Sequence, residues 1–73
     1  MKLTLTGRVG SVWADKGDND IWWGWYDVTV WYQNRRYSTR IEFDNIGDYK
    51  DIPWQDESFS VEFDVETKEI TIL

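Results

Sequence analysis

The segment WWGWYDVTVWYQNRRYSTRIEFD, residues 22–44, decides the fold of this chain. Along most of it, apolar side chains alternate with polar side chains or tryptophan, and a period of two is typical of a β-strand with one buried face. The alternation is interrupted around Asn34 and Arg35, which favours a tight turn. The sequence therefore predicts an antiparallel hairpin made of residues 22–33 and 36–44.

The register of this hairpin follows from the position of its turn. If Asn34 and Arg35 are the two central residues, one face carries nearly all the apolar side chains, and Trp22 lies in phase with them. The cross-strand pairs on that core face are Tyr32 with Tyr37, Val30 with Thr39, Val28 with Ile41, and Tyr26 with Phe43. Asn accepts the positive φ of a type I′ turn and Arg does so poorly, so a longer loop with a bulge remains the alternative.

A further alternating segment precedes the hairpin and runs from Lys2 to about Trp13. Its alternation assigns Trp13 to the core face. Gly7 and Gly10 lie inside this strand, and such glycines indicate a bulge or a sharp coil. Residues 14–20 are polar and rich in turn formers, which predicts a mobile loop.

The last third of the chain predicts two more strands, residues 59–65 and 70–72. Residues 44–58 lack strand periodicity and contain the only proline, so we expect a long connection with room for a short helical turn. Its expected apolar anchors are Ile46, Tyr49, Ile52 and Trp54. Five short strands with one long connection predict an all-β fold, a small, strongly coiled antiparallel barrel that is OB-like or SH3-like and spans residues 1–73 as a single domain.

Length and composition limit the classes of protein that fit. A chain of 73 residues buries only about 60 to 65% of its unfolded surface, so we expect a dense core, supplied by six Trp, four Tyr and three Phe. The absence of Cys excludes disulfides and thiolate metal sites. The sequence contains no apolar run of transmembrane length and no signal-peptide pattern, so a soluble, cytoplasmic protein is expected.

Charge narrows the choice of partner. Fourteen acidic and eight basic residues give a net charge of −6, which repels nucleic-acid phosphates and disfavours duplex DNA. Arg35, Arg36 and Arg40 lie close together, whereas the last third of the chain is acidic. Six acidic side chains are expected to point outward, namely Glu42, Asp44, Glu62, Asp64, Glu66 and Glu69, and the first four of them form the candidate acidic surface. Such a surface either keeps the protein soluble or acts as a decoy that occupies the basic nucleic-acid-binding surface of a partner.

The sequence lacks the residues and motifs of an enzyme. It contains no His or Cys, and no P-loop, dinucleotide fingerprint, nucleophile elbow or zinc-ligand spacing. The predicted register brings Asp27 opposite Glu42, but Arg40 lies diagonally across and would neutralise that pair. The acidic loop lacks the ligand spacing of a calcium site. We therefore expect no catalytic residue, cofactor or metal.

The aromatic residues on the other face of the hairpin form the candidate site. Trp23, Trp25 and Trp31 alternate out of phase with the core, and Arg36 and Arg40 lie beside them. Trp and Arg are enriched at interface hot spots, and a row of Trp can also stack on sugar rings or unpaired bases. The alternative is that these three Trp form a second hydrophobic layer, covered by the long connection or by the acidic loop.

These features predict a non-enzymatic protein-interaction module that uses the aromatic and arginine face, centred on Trp25 and Trp31 with Arg40 alongside, together with the acidic surface. The first alternative is binding of single-stranded nucleic acid or carbohydrate on the same aromatic face. The second is a designed or reconstructed β-barrel without an evolved function. A membrane partner is not expected. Solvent exposure of Trp23, Trp25 and Trp31 separates the two binding hypotheses from a buried second layer.

Overall fold

Every element of regular structure except one is a β-strand. The computed structural model describes all 73 residues, Met1–Leu73. The strands are β1 (Lys2–Lys16), β2 (Trp22–Tyr32), β3 (Arg35–Ile46), β4 (Ser58–Asp64) and β5 (Ile70–Ile72), with one 3-10 turn (Tyr49–Asp51) between β3 and β4. The predicted all-β fold is confirmed, as is the short helical turn in the long connection. No helix has the length and hydropathy of a membrane span.

The strands form one antiparallel sheet in the order β3-β2-β1-β4-β5. β4 returns across the long connection to lie beside β1, which gives the first four strands the order of a Greek key. Tyr37 of β3 and Phe63 of β4 have ring centroids 5.1 Å apart, although in a flat sheet three strand spacings, roughly 14 Å, would separate them. The sheet is therefore strongly coiled into a nearly closed barrel.

Small β-branched side chains fill most of the barrel interior. Val28 and Val30 of β2 and Val61 and Phe63 of β4 are fully buried and form one cluster. Gly7 of β1 faces this cluster, where an added Cβ would lie 2.8 Å from a Val28 methyl group. The interior is thus too narrow for many large rings, and none of the six tryptophans is buried, so the tryptophans do not supply the dense core that the composition predicts. Five aromatic residues of the hairpin that are assigned to the core face are only half-buried: Trp22, Tyr26, Tyr32, Tyr37 and Phe43.

The β2–β3 hairpin turns one residue earlier than predicted. Its central residues are Gln33 and Asn34, with φ of 49° and 65°, so the cross-strand pairs from Gly24 to Tyr32 differ from the predicted pairs by two residues. A shift of two residues leaves each side chain on its predicted face. The observed register staggers Tyr32 and Tyr37, and both rings pack on Phe63, with centroid distances of 5.3 and 5.1 Å. Barrel closure thus explains why the predicted register is wrong.

β1 is interrupted by a bulge between Val9 and Val12, at the place where Gly10 predicts one. The bulge reverses the alternation of side chains, so Val12 turns inward and Trp13 turns outward. The assignment of Trp13 to the core face is wrong for this reason. Beyond the bulge, β1 continues to Lys16 and includes the first residues of the predicted polar loop.

The long connection between β3 and β4 is anchored mainly by Ile52. Of the four predicted anchors, Ile52 is buried and Ile46 is half-buried, whereas Tyr49 and Trp54 are exposed. The anchoring prediction is therefore wrong for Tyr49 and Trp54. The connection contains the 3-10 turn at Tyr49–Asp51 and a second turn at Gln55 and Asp56, where the Glu57 N–H donates to the Trp54 carbonyl oxygen at 3.1 Å.

Candidate binding surface

Tryptophan side chains lie on the outer face of β2. Trp23 and Trp31 are 43% and 67% exposed, and Trp25 between them is half-buried. Alternation along the strand directs these three side chains away from Val28 and Val30. Trp23 and Trp31 are open to solvent, so the hypothesis of a covered second layer is wrong for those two residues.

Trp13 joins Trp23 and Trp25 in one cluster. The β1–β2 pairing sets Trp13 opposite Trp25, and the rings of Trp13 and Trp23 meet edge to face, with centroids 4.9 Å apart and planes at 74°. Gly24 permits the close approach of the two strands, because a Cβ there would lie 2.0 Å from the Trp13 carbonyl oxygen. The backbone itself therefore brings these three rings together.

These rings line an open groove of about 380 Å³, called here the tryptophan groove. Its lining residues are Trp13, Trp23, Gly24, Trp25, Glu42, Phe43 and Asp44. Glu42 lies opposite Trp25 in the β2–β3 pairing. Neither Glu42 nor Asp44 forms an ion pair, so the groove combines indole rings with two unpaired carboxylates. It therefore suits a cationic group better than an anionic one.

Arg40 contacts one of the rings of this groove. Its guanidinium carbon lies 3.9 Å from the centroid of Trp25, and its Nε donates to Asp27 Oδ1 at 3.1 Å. Asp27 lies directly opposite Arg40 in the observed register, so the predicted pairing of Asp27 with Glu42 does not form. Asp27 neutralises the charge of Arg40, and the side chain of Arg40 on β3 packs on the ring of Trp25 on β2.

The other two predicted site residues lie near the hairpin turn. Trp31 pairs with Arg36, and both line a second, more polar groove of about 430 Å³, called here the hairpin groove. Its other lining residues are Thr6, Arg8, Val9, Gly10, Thr29, Asp56 and Ser58. Trp31 follows Trp25 by six residues, or roughly 20 Å along a strand. The structure therefore brings together Trp23, Trp25 and Arg40 but leaves Trp31 and Arg36 on a separate surface.

The predicted acidic surface also divides into two parts. Glu42 and Asp44 of β3 belong to the tryptophan groove. On β4, Glu62 Oε1 lies 3.6 Å from Lys2 Nζ. Asp64 Oδ1 accepts two backbone N–H bonds from the turn before β5, at 2.9 and 3.2 Å, and these bonds lower the pKa of its carboxyl group. Glu62 and Asp64 thus have partners within the fold, whereas Glu42 and Asp44 are free to bind elsewhere.

Sequence reasoning misses several residues of these surfaces. It misses Trp13, although Gly10 provides the signal, because a bulge reverses the face of the residues that follow it. Phe43 also contributes to the lining of the tryptophan groove, while its half-buried ring stays on the predicted face, with its centroid 6.2 Å from that of Tyr26. Sequence reasoning also misses a third groove, apolar and about 360 Å³ in volume, at the long connection. That groove is lined by Val12, Trp22, Tyr49, Ile52, Pro53, Trp54 and Gln55.

Fold and surface together define a small antiparallel β-barrel with an exposed aromatic and acidic outer face. No group of three or more acidic residues is arranged to hold a metal ion. No protein-family model matches the sequence, and no curated protein or solved structure matches the chain. The chemistry of the exposed side chains is therefore the guide to function.

Proposed function

We propose that this protein is a non-enzymatic interaction module that binds a basic segment of a partner protein in the tryptophan groove. The main support is the grouping of Trp13, Trp23 and Trp25 beside the unpaired carboxylates of Glu42 and Asp44. Trp is among the residues enriched at interface hot spots. A cationic side chain would gain from the indole faces and from the carboxylates at the same time.

The exposure of these rings is a second line of support. Trp13 and Trp23 are each 43% exposed, although burying an aromatic side chain removes roughly 150 to 250 Å² from water. Grouped apolar surface of this kind marks interaction sites on small soluble domains. Arg40 holds Trp25 in position before a partner arrives, which lowers the conformational entropy lost on binding.

The charge of the chain supports a basic partner. A net charge of −6 attracts positively charged proteins and speeds their association at low salt. In its more specific form, the proposal is that the acidic barrel is a decoy. It would then occupy a surface of the partner that otherwise binds nucleic acid, and the two ligands would compete.

A calorimetric titration with a short lysine- and arginine-rich peptide tests this function. We expect binding that weakens as salt rises, and an affinity at least about tenfold lower when Glu42→Lys and Asp44→Lys are combined. The matched control combines Glu66→Lys and Glu69→Lys, which makes the same change in net charge on the exposed turn before β5. Equal losses in the two double variants would contradict binding in the tryptophan groove.

The hairpin groove supports a second candidate, the binding of single-stranded nucleic acid or carbohydrate. Trp31 is the most exposed tryptophan, and Arg36 beside it has no ion-pair partner. OB-folds are five-stranded Greek-key barrels that bind oligonucleotides and oligosaccharides on the face of their second and third strands. The strand order agrees with that arrangement, so we propose an OB-like rather than an SH3-like barrel.

Fluorescence polarisation with a mixed-sequence single-stranded oligonucleotide tests this second candidate. The net charge of −6 opposes phosphate binding, so we expect no measurable affinity at physiological salt. Binding that is lost in Trp31→Ala but kept in Trp23→Ala would favour the second function over the first. Titration with oligosaccharides under the same conditions tests whether the hairpin groove binds carbohydrate.

A further inference from the structure

The tryptophan groove has the chemistry to select among cations. We propose that it holds a quaternary ammonium group, supplied by a trimethylated lysine side chain of the partner protein. This inference rests on the proposed function and deepens it, because it names the chemical group that enters the groove.

The rings of the groove form a partial aromatic cage. Trp13 and Trp23 meet at 74° with centroids 4.9 Å apart, so they present surfaces in two different directions. Trp25 adds a third ring to the lining. The face of an indole carries negative electrostatic potential and attracts a cation within about 6 Å. Rings in different orientations can contact different sides of one rounded cation.

The charges around the groove favour a cation over a neutral apolar group. The guanidinium carbon of Arg40 already lies 3.9 Å from the centroid of the Trp25 ring. The positive charge of Arg40 is compensated by Asp27, whose Oδ1 lies 3.1 Å from Arg40 Nε. The carboxylates of Glu42 and Asp44 have no such compensation. The net charge that an incoming group meets is therefore negative.

The cost of leaving water favours a methylated ammonium over an unmodified one. A primary ammonium is strongly hydrated and has three N–H donors to satisfy. The indole N–H groups of the lining are donors, so only Glu42 and Asp44 offer side-chain acceptors there. A trimethylammonium group has no donors and loses less when it leaves water. The volume of about 380 Å³ also leaves room for part of the lysine stem.

The test uses three lysine- and arginine-rich peptides that differ only at one lysine. That lysine is unmodified, trimethylated, or replaced by the neutral isostere in which a tert-butyl group stands for the trimethylammonium group. Isothermal titration should give the trimethylated peptide an affinity about tenfold higher than either of the others. Free choline is the fourth ligand, because it carries the same group without a peptide.

Variants locate the selectivity in the groove. Trp23→Leu should abolish the preference for the trimethylated peptide, whereas Trp23→Phe should keep part of it. Trp31→Leu is the matched control, since Trp31 lies on the hairpin groove, and it should leave the preference unchanged. Leu and Phe are both apolar replacements, and only Phe keeps an aromatic ring. Comparing the two variants therefore separates the loss of the ring from a loss of folding.

The possible results of these titrations separate the binding of a quaternary ammonium group from the binding of basic peptides in general. Equal affinities for the three peptides would overturn the quaternary-ammonium inference and leave the binding of basic peptides standing. No binding of any peptide would overturn the proposed function as well. If choline bound in the groove without any gain for the trimethylated peptide, the assignment of the ammonium group to a protein partner would be wrong.

Discussion

The guanidinium carbon of Arg40 lies 3.9 Å from the centroid of Trp25, so side chains from two neighbouring strands are in contact on the outer face of the barrel. Asp27 accepts a hydrogen bond from the same guanidinium. We expect Arg40→Ala to lower the free energy of unfolding by about 1 kcal/mol, because both interactions are lost but both are partly screened by water. Urea denaturation measures the change.

Arg36→Ala is the control for this variant, because Arg36 lies on the same face of β3 and forms no ion pair. Its effect on stability should stay within about 0.5 kcal/mol of zero. Arg40→Lys should recover only part of the loss, since an ammonium lacks the planar fork of a guanidinium. Equal effects of Arg40→Ala and Arg36→Ala would contradict the role given to the contact with Trp25.

Gly24 determines how closely β1 and β2 approach beneath the tryptophan groove. A Cβ there would lie 2.0 Å from the Trp13 carbonyl oxygen, which is backbone and cannot move aside alone. We expect Gly24→Ala to cost about 1 to 3 kcal/mol and to separate the rings of Trp13 and Trp23. Gly47→Ala is the matched control, because an added Cβ at Gly47 meets nothing within 4 Å. Thermal denaturation followed by near-UV circular dichroism tests both, and equal melting temperatures would refute the close approach.

The hairpin turn can be tested by glycine substitutions. Gln33 has φ of 49°, a conformation that glycine adopts at lower cost, so Gln33→Gly should raise the free energy of unfolding by about 0.5 to 1 kcal/mol. Arg35 lies in β3, so Arg35→Gly should lower it by a similar amount. Chemical denaturation measures both values. The opposite pattern would place the turn at Asn34 and Arg35.

Asp64 makes the stability of the barrel depend on pH in the acid range. Its backbone hydrogen bonds lower the pKa of the folded carboxyl group below the usual 3.8. The carboxylate therefore contributes fully above the pKa of the unfolded state, and the contribution is lost as the pH falls through the lower, folded pKa. Asp64→Asn should reduce the melting temperature at neutral pH, and its difference from the wild type should shrink below about pH 4. Asp18→Asn is the control, because Asp18 is exposed and its side chain forms no hydrogen bond or ion pair. If the difference in melting temperature between Asp64→Asn and the wild type stayed constant with pH, the role assigned to the Asp64 carboxylate would be wrong.

The faces of β2 and β3 can be predicted from sequence because their alternation continues for most of both strands. Val28 is buried as predicted, and the hydroxyl groups of Thr29 and Ser38 meet on the outer face at 2.9 Å. The position of the turn is harder to predict than the faces of the strands, because Asn34 is a central turn residue in both the predicted and the observed register. The choice between them depends on Phe63, which comes much later in the chain and contacts the hairpin only when the barrel closes.

The site is harder to predict than the fold, because exposure depends on where distant segments pass. Sequence places Trp23 and Trp31 on the outer face but cannot tell whether residues 44–58 cover them. In the structure that connection is anchored through Ile52 and leaves both rings open. Trp13 enters the site only because a bulge reverses its strand, and strict alternation assigns it to the opposite face.

Nuclear magnetic resonance of the indole N–H groups shows which surface a basic peptide occupies, because the six tryptophans of the chain are distributed over three different grooves. We expect titration with a lysine- and arginine-rich peptide to shift the signals of Trp13, Trp23 and Trp25 together and to leave those of Trp31 and Trp54 in place. Shifts confined to Trp31 or to Trp54, with the other three signals unchanged, would contradict the claim that the tryptophan groove is the binding surface.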